Sequence, residues 1–256
     1  MPAGNSVTNN NITLPPSYRL SALDSIGSTN EEAKRLARAG AADKTLVWAR
    51  TQTAGKGRSG RTWISPEGNL YLSLILRPGC PAGRAAELGF VAALALAAAL
   101  DRLAPGLDLA FKWPNDVLLG GRKLAGILIE AESDAAALDW LVLGLGVNVA
   151  TAPAGTELPA AALSEQDGVA VEALLAGFTA DFLDWTTRWQ AEGFAPIRLA
   201  WLARAKGRGG RVTVRLPKST LQGTFIDLDA DGALLLGPET PGGDVRRITA
   251  GDVFFG

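Results

Sequence analysis

The stretch TAGKGRSGRTW, Thr53–Trp63, limits the fold more than any other feature of this chain, because of what stands on either side of it. Gly55, Gly57 and Gly60 satisfy G-x-G-x-x-G, and the segment comes close to G-x-x-x-x-G-K-[ST], with Arg61 in the lysine position and Thr62 after it. Both patterns describe backbone cradles for phosphate. A dinucleotide fingerprint and a Walker loop must each run strand, loop, helix, since the helix N-terminus supplies the dipole and the unpaired N–H groups. Here TLVWARTQ (Thr45–Gln52) reads as a strand before the loop. Ile64-Ser65-Pro66-Glu67-Gly68 and then strand-like NLYLSLILRP (Asn69–Pro78) follow it. No helix starts there, so both readings fail on context. A protein kinase does place a glycine loop between strands, but neither D-F-G nor an H-R-D-like loop occurs in the chain. Two readings stay open. One is a solvated, flexible basic segment. The other is a mobile flap whose Lys56, Arg58 and Arg61 close over an anionic ligand. Trp63 needs a partner for its ring, either core or a base, and Gln52 faces the same opening.

The rest of the chain frames that loop. Ser28-Thr29-Asn30-Glu31 reads as a capping box opening a helix that stops at Gly40. RAAELGFVAALALAAALDRL (Arg84–Leu103) reads as a helix whose most apolar part, Leu88–Leu100, is too short for a bilayer and suits a core. Closely spaced strands follow in LDLAFKWP, DVLLGGRK, LAGILIEAE and LDWLVLGLGVNV, with Gly120-Gly121 predicting a hairpin turn. Val171–Glu192 and Pro196–Lys206 read as two further helices. KGRGGR (Lys206–Arg211) reads as a flexible linker, after which short strands and turns predict a small β-barrel appended to an α/β domain. The expected division is a loose tail over 1–17, a main domain over 18–206 and a small domain over 207–256.

Composition narrows the chemistry. There is no histidine, which removes Ser–His–Asp and Cys–His catalysis. One cysteine, Cys80, leaves no disulfide and no soft zinc site, and fits a reducing compartment. The net charge of −1 supplies no overall field toward nucleic acid or an anionic membrane. The polar opening MPAGNSVTNNNITLPP has no secretory signal, so the expected location is the cytoplasm. Catalysis is left to Lys, Arg, Asp, Glu, backbone groups and a hard cation such as Mg²⁺.

A second constellation lies in FKWPNDVLLGGRKLAGILIE. Pro114 cannot donate to a strand ladder and is expected to break the strand, exposing Asn115 and Asp116 at its end. A plain turn, with Asn and Asp serving only the backbone, reads equally well. Lys123 sits in an otherwise apolar strand, and Gly126 beyond it lets something approach the backbone. Two decoys are set aside. Asp227-Leu228-Asp229-Ala230-Asp231-Gly232 opens like a calcium loop but has Pro238 at the twelfth position, and reads as a hairpin turn. Trp185, Trp189 and Trp201 fall at helical spacings and read as packing residues.

GKGRSGRTW, KWPND, RKLAGILIE and LGLGVNV, in this order and at these intervals, resemble the biotin protein ligases (biotin–[acetyl-CoA-carboxylase] ligases) from about Tyr18 to the C-terminus. The resemblance implies an α/β fold of the α+β kind: a mixed sheet with flanking helices, class II synthetase-like, plus a C-terminal SH3-like β-barrel. It implies ATP and biotin as substrates with Mg²⁺, a biotinyl-5′-AMP intermediate, and transfer to a lysine of the biotin carrier protein of acetyl-CoA carboxylase or a similar carboxylase. It places Ser28, Thr29, Asn30 and Gln52 at biotin's ureido head, with Gly55, Lys56, Gly57 and Arg58 in the covering loop. Lys123 would hold biotin's carboxylate and the reacting phosphate. Gly126 and the run Gly144, Gly146, Val147 would line the pocket. Arg58, Arg61, Trp63, Lys112, Asn115, Lys123 and Asn148 would meet the nucleotide. Lys123, Arg58 and Asp116 are the expected catalytic set, Asp116 orienting the acceptor amine or taking its proton. No protein cage for a metal is expected; Mg²⁺ would arrive with ATP, Asp116 being the nearby carboxylate. Lys56 departs from the family, where Arg is frequent, and gives up bidentate phosphate geometry there. Lipoate or octanoate ligation on the related fold is the alternative. A winged-helix repressor function is not expected, since about 17 residues precede Tyr18. Neither nucleic acid nor membrane is an expected partner, and a β edge could serve a homodimer or the acceptor.

Overall fold

The computed structural model describes residues 12–132, 138–165, 168–239 and 243–255. Its larger part is a seven-stranded mixed sheet in the order β1 (Arg19–Ile26), β2 (Thr45–Gln52), β3 (Leu70–Leu76), β7 (Trp140–Val147), β6 (Arg122–Glu132), β5 (Asp116–Leu119), β4 (Leu109–Lys112). Among the described strands of this sheet only β1 and β2 run parallel. A parallel pair needs a crossover, and α1 (Thr29–Arg38) supplies it. Its acidic first turn and basic last turn match the helix dipole, and Ala33 and Ala37, one turn apart, are its buried contacts with the sheet.

Two neighbouring details depart from expectation. The helix begins where the capping box predicts, but Ser28 makes no side-chain cap bond: Glu31 is drawn to Lys34 and Lys56 instead. β1 went unpredicted because RLSALDSI is an edge strand with no fully buried position, so its pattern carries little apolar signal.

The core helix α3 (Leu88–Leu103) follows a single turn, α2 (Ala82–Ala85). Together they span 22 residues, long and apolar enough to cross a membrane by length and composition, and longer than Leu88–Leu100 suggests. Yet 72% of the most apolar window is buried inside the protein. The alanines explain that placement. They let α4 (Val171–Glu192) come close, so that Gly177 faces Ala99 tightly: a Cβ there would stand 3.3 Å from the Ala99 methyl. Trp189 and Trp201 are buried as packing residues, Trp189 donating from its indole to Glu87. Helix α5 (Phe194–Leu202) starts two residues before the predicted Pro196, because Gly193 ends α4 and Pro196 is tolerated within a first turn. It also ends early; Lys206 N–H donates to Phe111 and ties the chain to β4.

KGRGGR is therefore not a free linker. Gly209 N–H donates to the Phe225 carbonyl at 2.7 Å, and Phe225 N–H to that of Gly210 at 3.0 Å. Beyond it lies a five-stranded antiparallel sheet, β8 (Arg211–Arg215), β9 (Thr220–Leu228), β10 (Leu234–Gly237), β11 (Arg246–Ile248) and β12 (Asp252–Phe255), in the order β11-β10-β9-β8-β12. Its inward Val212, Val214, Phe225, Leu234 and Val253 join the same hydrophobic core as α3 and the large sheet. The calcium-like segment is the β9–β10 turn. Asp229 accepts from Asp231 and Ala233 N–H, both at 2.9 Å, and is bound by Arg247. Of the predicted loose tail, residues 1–11 lie outside the described residues, while Ile12 and Leu14 pack against the core.

Candidate active site

β6 and β7 pair so that Gly126 lies opposite Gly146 and Leu128 opposite Gly144. Successive side chains of a strand point to opposite faces, so Gly144 and Gly146 clear the same face two residues apart. They leave a floor without side chains. Above it is a cavity of about 370 Å³, within the size range of small-ligand sites. What comes down on that floor is packed tightly. A Cβ on Gly146 would meet the Trp63 indole at 2.6 Å, one on Gly126 the same ring at 3.0 Å, and one on Gly144 the Asn30 amide carbon at 2.9 Å.

One end of the cavity is polar and deeply buried. Ser28, Thr29 and Asn30 are brought there by the start of α1 and are all buried. Gln52 Oε1 accepts from Thr29 N–H at 2.8 Å and Thr29 Oγ1 at 3.0 Å. Ser73 Oγ donates between Thr29 Oγ1 and Asn30 Oδ1, and Asn30 Nδ2 donates to Glu130. Ser28 Oγ is buried with no partner among the described residues, at the edge of this network. Orphaned buried hydroxyls are costly, and a ligand carbonyl or N–H supplies what is missing.

The glycine loop crosses the opening. Its shape is closed by Gly57 N–H to the Arg61 carbonyl at 2.7 Å and Trp63 N–H to that of Gly55 at 2.9 Å. Lys56 pairs with Glu31 of α1 at 2.5 Å, and Arg58 and Arg61 both reach Asp252 of β12, at 2.5 and 3.1 Å. Trp63 lies over the glycine floor beneath the Lys123 ammonium, which stands 5.3 Å from its ring centroid.

At the far end two lysines converge on one carboxylate. Asp116 stands 2.6 Å from Lys123 Nζ and 3.3 Å from Lys112 Nζ. Asp116 and Lys112 are buried, which corrects the expectation of an exposed carboxylate: a carboxylate between two ammonium groups tolerates removal from water. Asn115 is likewise engaged, its Nδ2 donating to the Ile127 carbonyl at 2.7 Å while its own carbonyl accepts from Ile127 N–H. The Trp113–Pro114 peptide is cis, and the Trp113 indole donates to the Gly232 carbonyl of the small sheet.

Ser28, Thr29, Asn30, Gln52, Lys56, Gly57, Arg58, Arg61, Trp63, Lys112, Asn115, Asp116, Lys123, Gly126, Gly144, Gly146 and Asn148 all line this one cavity. Val147 and Gly55 do not. Val147 is fully buried and belongs to the opposite face of β7 from Gly146; Gly55 is packed under the Trp63 carbonyl and Ser65. Asn148 spends its amide on the Lys123 and Ala161 carbonyls, so it props the wall. Sequence reasoning missed Ser73, whose signal is a lone hydroxyl in a fully buried strand. It also missed Asp252 and Phe254, which carry no local signal.

Two family models match the two parts of this architecture, the large sheet and the small one. The biotin/lipoate A/B protein ligase family model matches residues 22–148, and the biotin protein ligase C-terminal domain model matches 209–256. The biotin–[acetyl-CoA-carboxylase] ligase of Paracoccus denitrificans is 44% identical over 243 residues, covering 90% of this chain and 97% of that one. The bifunctional ligase/repressor BirA of Bacillus subtilis is 35% identical over 244 residues, covering 91% of this chain and 73% of its own length. Among solved structures, a biotin protein ligase from Aquifex aeolicus in complex with biotin and ATP superposes with a TM-score of 0.78 at 26% identity, covering 92% of this chain and 97% of that one. The chain belongs to the biotin protein ligase family.

Proposed function

We propose that this protein joins biotin to a lysine of a carrier domain of a biotin-dependent carboxylase, through biotinyl-5′-AMP made from ATP. The observation that carries this is the convergence of Arg58, Arg61, Lys112 and Lys123 on a cavity whose other end is a buried hydroxyl and amide pocket. In the first step a biotin carboxylate oxygen attacks the α-phosphorus of ATP, the P–O bond to pyrophosphate breaks, and charge builds on the phosphoryl oxygens. Both reactants are anions. The chain's task is to neutralise their repulsion and hold them in line, which cations do without histidine or a covalent nucleophile. Ser28, Thr29, Asn30 and Gln52 suit the ureido head, Gly126 and Gly146 leave room for the Trp63 ring that covers the floor, and Lys123 is placed for the carboxylate and phosphate.

In the second step a neutral carrier amine attacks the acyl carbon and AMP leaves. Asp116 has both oxygens against ammonium groups, which favours its orienting the lysines over its taking a proton. The same engagement makes it a poor fit as a Mg²⁺ ligand. In this reading Mg²⁺ enters with the ATP phosphates. We take 18–206 as the catalytic unit, 207–256 as an accessory one, and the cytoplasm as the place of work. The outer edge of β1, at one end of the sheet and without a paired strand among the described residues, suits the carrier or a second copy; sedimentation showing monomer alone and no carrier complex would remove that reading.

Mass spectrometry of a biotin carrier domain incubated with the protein, biotin and MgATP tests the function. A gain of one biotin on one lysine is expected. A carrier left unmodified, or modified faster with lipoate or octanoate than with biotin, overturns it.

A further inference from the structure

We propose that Asp252, supplied by the small C-terminal sheet, is a positioning residue for the glycine loop: it holds Arg58 and Arg61 over the cavity so that Arg58's remaining donors meet the phosphate of the acyl adenylate. This rests on the ligase reading above and extends it to a domain that reading leaves without a chemical task.

Strand alternation puts the residue there. In β12, Val253 turns into the core and is 1% exposed, while Asp252 and Phe254 on either side of it face the cavity. Pairing of β12 with β8 through Asp252–Arg215 and Val253–Val214 fixes that choice, because a slip by one residue would bury the carboxylate. The loop comes to it from the other end of the chain. Arg58 Nη2 donates to Asp252 Oδ1 and to the Gly251 carbonyl, each at 2.5 Å. Arg61 Nη2 donates to the same Oδ1 at 3.1 Å, and Arg61 Nε to the Arg58 carbonyl at 3.1 Å. The Arg58 and Asp252 side chains are only 25% and 26% exposed, so water screens their contact less than it does the rim pairs. Burial by itself would push the Asp252 carboxyl up, but hydrogen bonds from Arg61 and Arg58 outweigh it and hold the group below the usual carboxylate range.

The arithmetic of donors decides between a support and an obstacle. A guanidinium has five N–H groups. Nη2 spends its two on Gly251 and Asp252; Nε is buried with no partner among the described residues, and Nη1 makes no hydrogen bond there. Asp252 therefore fixes the orientation of the group and leaves the two Nη1 donors for an incoming anion, with the buried Nε–H in reserve. Two arginines around one carboxylate also keep a net positive charge at the cavity while their mutual repulsion is relieved. A carboxylate placed so is a strut for the flap.

The test is a double-mutant cycle read by biotin-dependent ATP–pyrophosphate exchange and by release of biotinyl-5′-AMP. Asp252→Asn, nearly isosteric, is expected to raise KM for ATP about tenfold, with kcat changed less than about threefold, and to increase released intermediate about as much. In an Arg58→Ala/Arg61→Ala background the same change is expected to alter KM by less than about twofold, since nothing remains to be positioned. Asp252→Glu, which keeps the charge, is expected to lie between wild type and the asparagine variant. An equal loss in both backgrounds would show a merely structural role and overturn the proposal. So would wild-type KM and retention in Asp252→Asn, tighter ATP binding in it, or a glutamate variant no better than asparagine. Wild-type protein run alongside separates the two claims: no exchange in it counts against the ligase reading, and the proposal falls with it.

Discussion

Two glycine-rich regions face each other across the cavity, and Gly60 of one is needed for a different reason from the glycines of the other. In the floor, Gly126, Gly144 and Gly146 lie in regular paired strands, where any residue could adopt the backbone; what matters is the absent Cβ, since Trp63 and Asn30 occupy its place. In the flap, Gly60 has nothing within 4 Å of a Cβ but holds φ +73°, a conformation that L side chains rarely adopt. The floor glycines make room and Gly60 makes a bend; Gly55, at the base of the flap, is there for space, as the floor glycines are. The floor belongs to the central sheet, its strands β6 and β7 each paired on both sides; the flap is held by three ion contacts, two to β12 and one to α1. Substitutions in the floor should damage chemistry and binding outright, and those in the flap should chiefly damage retention.

The sharpest break in that comparison comes at Lys123, which rises from the floor strand β6. Lys123→Ala is expected to cost at least ~3 kcal/mol in the barrier to adenylation, as loss of an oxyanion donor does. That is about a hundredfold or more in biotin-dependent ATP–pyrophosphate exchange. Exchange at near wild-type rate would remove Lys123 from the first step.

Gly144→Ala comes next. The methyl has no room beside the Asn30 amide, which is itself tied to Ser73 and Glu130. Overpacking of this kind costs about 1–3 kcal/mol, here directed at the head pocket. Biotin KM should rise about tenfold to a hundredfold, with ATP KM much less affected; titration calorimetry of biotin showing unchanged affinity would refute the tight floor. In the flap, Arg58→Gly is expected to leave thermal unfolding within about a degree or two of wild type, because the loop contributes little core. Released biotinyl-5′-AMP should rise about tenfold and bystander lysines acquire label. Retention of the intermediate as in wild type would deny the flap its role as a lid.

How much of this was legible follows from where the partners lie in the chain. The flap, the KWPND turn and the floor were readable because each is a local pattern: glycines between strands, a proline beside acid and amide, small residues breaking an apolar run. Gly120-Gly121 was readable for the same reason, and closes β5 to β6 by a two-residue turn with both glycines at positive φ. Asp252 was not, since it meets Arg58 across 194 positions and sits in GDVFF, which reads only as a short strand. KGRGGR misled in the opposite direction. Its glycines suggested freedom, whereas they are what allows the chain to turn tightly enough for Phe225 to bond it on both sides. Val147 was drawn in with its glycine neighbours as part of a motif, though strand alternation alone puts it on the far face.

The smallest expected effect is also the one that tests the contrast most cleanly. Gly60→Ala adds a methyl that touches nothing, so any cost must be conformational: forcing an alanine into left-handed backbone costs about 1 kcal/mol. If the flap is glycine-rich for its bend, that cost falls on the closed loop. Released biotinyl-5′-AMP then rises severalfold while exchange rate and biotin affinity stay within about twofold of wild type. Gly60→Asn, a residue that accepts positive φ more readily, should recover most of the retention. An alanine variant that leaks no more than wild type would show that the loop reaches its closed form without a left-handed Gly60, and the opposition between floor glycines that need space and a Gly60 that needs curvature would not hold.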